Sequence, residues 1–131
     1  MSQLAAGSFD VKATRQPPYD SAEGLVLTRT QFAKTFKGQL EATSTVEMLS
    51  AGTPTQGSAV YVALERVSGS LAGRNGNFVL VHYGVMNRGT PSLRLEVAPD
   101  SGTGELVGLT GSMQIDIKDG QHFYRFEYAL P

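Results

Sequence analysis

The chain has 131 residues, of which 40% are hydrophobic and 18% charged, and its 11 basic and 12 acidic side chains leave a formal net charge of -1. This length suits one domain with an ordinary core, and such scattered charge excludes the basic surface that nucleic acids and anionic membranes require. The absence of cysteine excludes disulfides, thiolate nucleophiles and iron–sulfur clusters. We therefore expect one domain over residues 1–131, with no cofactor, no metal, and no nucleic-acid or membrane partner.

The first residues, MSQLAAGSFDV, carry neither the basic start nor the apolar run of a signal peptide. No apolar run of about 18 residues, the length of a membrane-spanning helix, occurs in the sequence. We therefore expect a cytoplasmic protein.

Almost every segment alternates apolar and polar residues and ends in Gly, Pro, Asn, Asp or Ser, which is typical of strands joined by turns. Eight strands are predicted, near residues 6–16, 25–36, 38–50, 58–69, 71–86, 92–98, 105–118 and 121–130. With no helix to cover a sheet face, these strands must bury their apolar sides in a closed barrel or, alternatively, in a β-sandwich. We expect an all-β protein that forms a closed antiparallel eight-stranded barrel, whose interior holds packed side chains or one small ligand.

The third predicted strand has a mainly polar face. Glu41 and Glu47 share this face with Thr43, Thr45 and Leu49. An exposed strand face explains the pattern, and a polar barrel lumen containing Glu47 is the alternative.

The stretch LERVSGSLAGRNGNFVLVHYG contains an Asn-Gly pair at 75–76 between two apolar runs, which predicts a hairpin with a type I′ turn. In the resulting register Gly73 faces Phe78 and Gly69 faces His82, so each ring packs over bare backbone. A phosphate-binding loop does not fit, because the GxxxxGK[ST] spacing and a following helix are both missing.

The same register places Glu65 and His82 on one face of the hairpin. If this face lines the lumen, desolvation shifts their pKa values, as in many catalytic acids and bases; if it faces outward, both are solvated. The register separates them by about four residues, roughly 13 Å, which allows a shared ligand but no direct hydrogen bond. A metal site of His82 and His122 with Glu47 or Glu65 has no supporting ligand spacing.

The fourth and fifth predicted strands are apolar on both faces. Val60, Val62 and Leu64 alternate with Tyr61 and Ala63, and Val79, Val81 and Val85 alternate with Phe78 and Leu80. The outer surface of a barrel is normally exposed to solvent and polar, so apolar residues on it indicate that a partner subunit covers them. We therefore expect a homodimer.

Two glycine-rich blocks, ALERVSGSLAGRNGNFVLVHYG and APDSGTGELVGLTG, and the closing FEYAL resemble a family of small uncharacterised bacterial proteins catalogued as a domain of unknown function. The similarity runs from FDVKATRQPPYD to the C-terminus. The resemblance implies a closed β-barrel of the allene oxide cyclase type, a class whose lumen can hold a lipophilic molecule. None of the cyclase's active-site residues matches a position here, so the resemblance implies a pocket without naming a ligand.

The function expected from these patterns is binding of a small, partly apolar or lipophilic molecule in the barrel lumen. The first alternative is an isomerase or cyclase that uses a buried Glu65 or Glu47, which requires an inward carboxylate with a raised pKa beside an open cavity. The second alternative is a packed barrel that acts in homo- or hetero-assembly. No catalytic residue is assigned. The candidate pocket residues are Glu47, Tyr61, Glu65, Arg74, Phe78, Leu80, His82 and Tyr128.

Overall fold

A computed structural model describes residues 2–131. In this part of the chain eight strands and two short 3-10 turns form, and none of its helical turns has the length and apolar character needed to span a membrane. The strands are β1 (Gln3–Arg15), β2 (Val26–Gly38), β3 (Leu40–Gly52), β4 (Ala59–Leu71), β5 (Arg74–Asn87), β6 (Thr90–Val97), β7 (Thr110–Lys118) and β8 (Gln121–Ala129). The 3-10 turns are Ala22–Gly24 and Gly104–Leu106.

The strands form a closed barrel. Each strand pairs antiparallel with the next, and β8 pairs with β1, so that the sheet has no free end strand. The prediction of a closed antiparallel barrel is confirmed, and the β-sandwich alternative is wrong. Seven of the predicted strands begin and end within three residues of the observed bounds, because alternating hydrophobicity marks strands well.

The hairpin between β4 and β5 turns at a different place from the predicted one. Ala72 and Gly73, with φ of +48° and +87°, occupy the left-handed region that a type I′ turn needs. Leu71 therefore faces Arg74, and the Asn-Gly pair at 75–76 lies inside β5. The prediction of a turn at 75–76 is wrong.

The shifted turn changes which side chains lie opposite one another. Phe78 faces Val67 and His82 faces Ala63, so the predicted packing of these two rings over glycine is also wrong. The register moves by an even number of residues, however, and side chains predicted to share a face therefore still share it. That face is the lumen face, where both Glu65 and His82 are buried.

Contacts with a distant segment explain why the Asn-Gly pair stays extended. After β6 the chain runs along the edge of β5 and satisfies its free backbone N–H groups with side-chain oxygens. Ser101 accepts from Val79 at 3.1 Å, Thr103 from Asn77 at 3.0 Å and Glu105 from Asn75 at 3.0 Å. A Cβ at Gly76 would lie 2.1 Å from the Thr103 carbonyl oxygen, so glycine permits this close approach. Tertiary docking thus outweighs a local turn preference.

One end of the lumen, where β8 ends and β1 begins, is filled by side chains. We call it the packed end. The Phe126 ring stacks on Phe78 at 5.8 Å and on Tyr128 at 5.4 Å between ring centroids. Leu106 and Leu109, from the connection between β6 and β7, join this core and close the packed end.

The predicted seventh strand, 105–118, is wrong at its beginning. β7 begins at Thr110, and the preceding 3-10 turn buries Leu106 while Val107 is 64% exposed. Gly108, with φ of +84°, lies in the left-handed region and interrupts the alternation. The apolar residues of this segment therefore cap the lumen instead of extending a strand.

Candidate functional site

The lumen is open in its other half, which we call the open end. A cavity of about 190 Å³ lies there, below the turns that join β5 to β6 and β7 to β8. Its wall is mostly apolar and includes Phe9, Phe32, Val46, Met48, Tyr61 and Ile115. Lys34, His82 and His122 add nitrogen atoms to the same wall. A cavity with an apolar wall and a few polar groups is typical of small-molecule sites.

A second, apolar hollow of about 390 Å³ adjoins the cavity. Met48 and Tyr61 line both, and Met86, Pro91 and Leu93 extend the hollow towards the beginning of β6. The cavity and the hollow are therefore neighbouring spaces that share two side chains.

Gly84 positions the ring of Tyr61 between these two spaces. A Cβ at Gly84 would lie 2.1 Å from Cε1 of Tyr61, so the ring rests directly on the backbone of β5. Burial raises the pKa of the Tyr61 hydroxyl, which therefore stays protonated near neutral pH. The sequence predicted a ring over glycine in this hairpin, but at other glycines.

A buried ionic cluster forms the polar part of the cavity wall. Glu65 is 0% exposed, and its carboxylate accepts three hydrogen bonds. The donors are Nε2 of His82 at 2.7 Å, Nζ of Lys34 at 3.2 Å and Oγ of Ser44 at 2.6 Å. They lie on β5, β2 and β3, so four adjacent strands build the cluster around Glu65 on β4.

These donors keep Glu65 ionised. Burial raises the pKa of the carboxyl, but the hydrogen bond from His82, the charge of Lys34 and the hydrogen bond from Ser44 outweigh it. The resulting pKa lies below the ordinary value of 4.5. An ionised carboxylate only accepts hydrogen bonds, so Nε2 of His82 carries a proton. The isomerase alternative required a raised pKa, and the Glu65 pKa is instead lowered.

Two members of the cluster have unused hydrogen-bonding capacity. Nζ of Lys34 donates to Glu65 and lies 4.8 Å from the centroid of the Phe9 ring, which leaves further N–H groups for another acceptor. His82 uses Nε2 for Glu65, which leaves Nδ1. His82 also lines the cavity.

Six of the eight predicted pocket residues point into the lumen. Tyr61 and His82 line the cavity, and Glu65 lies behind it in contact with His82. Phe78, Leu80 and Tyr128 also point inward, but they belong to the packed end.

Glu47 and Arg74 do not line the lumen. Glu47 points outward from β3, because Val46 and Met48 take the inward positions, and Arg29 binds its carboxylate at 2.7 Å. This hydrogen bond lowers the pKa of Glu47 against a smaller effect of desolvation. Arg74 is exposed beside the hairpin turn, eight residues and about 26 Å along β5 from His82. The alternative of a polar lumen around Glu47 is therefore wrong.

The predicted separation of Glu65 and His82 is also wrong. Their side chains are 2.7 Å apart, because Glu65 faces Leu80 and His82 is the next residue on that face of β5. The error comes entirely from the displaced turn, since the predicted face is correct.

The sequence analysis missed Lys34 and Ser44. Lys34 lies between Phe32 and Phe36 on the same strand face. A lysine on an otherwise apolar face was therefore the signal that the sequence offered. Ser44 occupies an inward position beside Val46 and carries no comparable signal. Their role depends on the pairing of Lys34 with Ser44 across β2 and β3, which the sequence does not display.

His122 lies apart from the cluster and packs on Phe9, with 5.1 Å between ring centroids. Among residues 2–131, three or more His, Asp or Glu side chains do not come together in an arrangement that could hold a metal ion. The chemistry of the open end therefore rests on Lys34, Glu65 and His82.

Comparison with known proteins gives a family and a solved relative. A family model described as "Protein of unknown function (DUF3224)" matches residues 5–128. The chain is 49% identical to a protein with unknown function from the DUF3224 family of Shewanella oneidensis MR-1, whose crystal structure is similar with a TM-score of 0.94. That similarity covers 100% of this chain and 99% of the other. None of the curated proteins matches the chain.

Proposed function

Because the chain belongs to the DUF3224 family, whose function is unknown, its activity has to be inferred from its own site, and we propose that it binds a small, partly apolar molecule in the open end of the lumen. The observation that carries this proposal is the cavity of about 190 Å³ with a buried ionic cluster on an otherwise apolar wall. An apolar wall binds the body of a ligand, and a few fixed polar groups orient it.

The cluster specifies the chemistry of the ligand's polar end. Lys34 has N–H groups to donate after its contact with Glu65, and donation from an ammonium makes a stronger hydrogen bond than a neutral donor. An oxygen acceptor, a carboxylate or a carbonyl, satisfies these donors. A hydroxyl on the same ligand can donate to Nδ1 of His82. We infer that the ligand carries such an oxygen group at one end and an apolar body that lies against Met48 and Tyr61.

The test uses 2-naphthoate, a compact apolar carboxylate, and 2-naphthalenemethanol, a neutral molecule with the same ring system. We expect isothermal titration to give at least about tenfold tighter binding for 2-naphthoate, a difference of about 1.4 kcal/mol, because only the carboxylate forms an ion pair with Lys34. Amide NMR should place the shift changes on β2, β4 and β5 around the cavity.

Two variants distinguish binding at the buried cluster from binding to an exposed lysine. Lys34→Met combined with Glu65→Gln removes both charges together and should abolish the preference for the carboxylate. Lys37→Met removes an exposed lysine three residues further along β2 and should leave the preference unchanged. The proposal is overturned if neither probe binds, or if the double variant keeps the preference.

An isomerase is the second candidate, since His82 contacts an ionised Glu65 at 2.7 Å and lines the cavity. Glu65 lies behind His82 and off the cavity wall, so this arrangement supports a charge-stabilising role for Glu65 through His82, not direct proton transfer with the ligand. Molecules extracted from protein isolated from its host can be identified by mass spectrometry and incubated with fresh protein. Conversion to an isomer of equal mass would support the enzyme, and unchanged recovery would support binding alone.

A further inference from the structure

A contiguous apolar patch covers the outside of the barrel where β3, β4 and β5 lie side by side. This outer patch consists of Leu49, Val62, Leu64, Val81 and Tyr83. Leu64 is 59% exposed and Tyr83 48%, and the patch surrounds a hollow of about 540 Å³, larger than the lumen cavity. Exposed apolar areas of this kind are typical of interfaces.

The strand registers arrange this surface into two rows that cross the strands. The first row contains Arg29, Leu49, Val62, Tyr83 and Arg94. The second row contains Gln31, Glu47, Leu64, Val81 and Glu96. Each row has an apolar centre. The first row has an arginine at each end, and the second row has a glutamate close to each of these arginines. Arg29 binds Glu47 at 2.7 Å and Arg94 binds Glu96 at 3.3 Å within the chain.

We propose that the outer patch is the interface of a homodimer whose two copies pack face to face, about a two-fold axis that lies at right angles to the strands and between the rows. This axis places the first row of one copy on the second row of the other. Val62 then meets Leu64 of the second copy, and Arg94 meets Glu96 of the second copy. At the centre Tyr83 likewise meets Val81 of the second copy, and opposite charges face each other along the β6 edge. Leu49, at the margin of the patch, meets Glu47 of the second copy.

The charge pattern selects this axis over the other face-to-face arrangement. An axis parallel to β4 would place Arg29 of one copy on Arg94 of the second, and like charges in contact are unfavourable. With the perpendicular axis, Arg29 instead faces Gln31 of the second copy and lies next to its Glu47. Because the β4 and β5 residues of the two rows and the charges at the β6 edge complement themselves, a second copy of this chain is the occupant that the surface fits.

Sedimentation velocity tests the interface directly. We expect the chain at about 50 µM to sediment with twice its 14.0 kDa mass and to dissociate on dilution. Leu64→Arg should give a monomer, since it places a charge at the centre of each apolar surface. Val107→Arg is the matched control: Val107 is 64% exposed but lies at the packed end, so this variant should remain a dimer. Both positions are exposed, and circular dichroism should confirm that both variants fold.

A charge exchange tests the orientation. Arg94→Glu should weaken the dimer at least about tenfold, because it places two carboxylates together at both symmetry-related Arg94–Glu96 contacts of the β6 edge. Adding Glu96→Arg to the same chain restores opposite charges across the perpendicular axis and should restore dimerisation. A monomeric wild type overturns the proposal, as does a dimer that Leu64→Arg leaves intact. A double variant no tighter than Arg94→Glu overturns the proposed axis.

Discussion

Glu65 is a charged side chain inside a barrel, and its neighbours make this arrangement stable. A buried carboxylate is unfavourable unless it is paired and hydrogen-bonded. Lys34, Ser44 and His82 supply these partners, and Lys34 also lies over the Phe9 ring. The cluster is therefore a satisfied polar network, and two of its members, Lys34 and His82, line the cavity.

The lowered pKa of Glu65 predicts a dependence of stability on pH. The folded carboxyl has a lower pKa than the unfolded one, so its contribution to the free energy of unfolding is complete above the ordinary value of 4.5 and is lost as pH falls through the folded pKa. Urea unfolding from neutral to acidic pH should show this loss. In Glu65→Gln the acid-dependent decline should be shallower, whereas Glu41→Gln, an exposed change, should alter it little. An unchanged decline in Glu65→Gln would mean that Glu65 is not ionised.

A double-mutant cycle should reveal the coupling between Lys34 and Glu65. Lys34→Met and Glu65→Gln each leave the other group without its charged partner, and each should lower the free energy of unfolding by about 3–5 kcal/mol. The double variant removes both charges and should lose clearly less than the sum of the single losses. Urea unfolding of the four proteins measures the coupling. Additive losses would contradict a direct interaction.

At the scale of elements, the β4–β5 hairpin determines the site. Its turn at Ala72 and Gly73 brings Glu65 within reach of His82, and the segment from Ser101 to Glu105 holds the beginning of β5 in place. Ala72 adopts a positive φ that is unfavourable for a residue with a Cβ. The hydrogen bonds that the segment from Ser101 to Glu105 makes with the edge of β5 thus offset the backbone strain at Ala72.

The strained turn can be improved by a single substitution. Ala72→Asn introduces the Asn-Gly sequence that type I′ turns favour and should raise the free energy of unfolding by about 0.5–1 kcal/mol. Asn75→Ala, at the position that the sequence predicted for the turn, should change it little, because Asn75 is an exposed strand residue. Thermal and urea unfolding measure both effects. A large loss of free energy of unfolding in Asn75→Ala would instead favour the turn predicted at residues 75–76.

At the scale of the whole molecule, the barrel divides its lumen between stability and binding. The packed end holds the stacked rings of Phe78, Phe126 and Tyr128 under the cap formed by Leu106 and Leu109. The open end holds the cavity and the cluster. A barrel of this size has little interior space, so a ligand cavity at one end requires dense packing at the other.

Two matched phenylalanines test this division. Phe126 is fully buried at the packed end, and Phe126→Ala should lower the free energy of unfolding by about 3–5 kcal/mol, the usual loss for a large core cavity. Phe32 is partly buried on the wall of the cavity, so Phe32→Ala removes fewer contacts. Its loss in free energy of unfolding should be about 2 kcal/mol smaller than that of Phe126→Ala. Urea unfolding measures both, and equal losses would contradict the division.

Alternation of apolar and polar residues was enough to predict the strands, to favour a barrel over a sandwich, and to group the residues that share a strand face. Alternation is a local property of the extended backbone, so the inward direction of Tyr61, Glu65 and His82 follows from parity alone. The cytoplasmic location, the homodimer and the likeness to allene oxide cyclase barrels stay predictions. Only the tertiary structure decided the strand register, and with it the meeting of Lys34 and Glu65 across 31 positions of sequence. Register depends on how distant segments such as Ser101–Glu105 dock on a strand edge. The free energy of this docking cannot be estimated from a local sequence pattern.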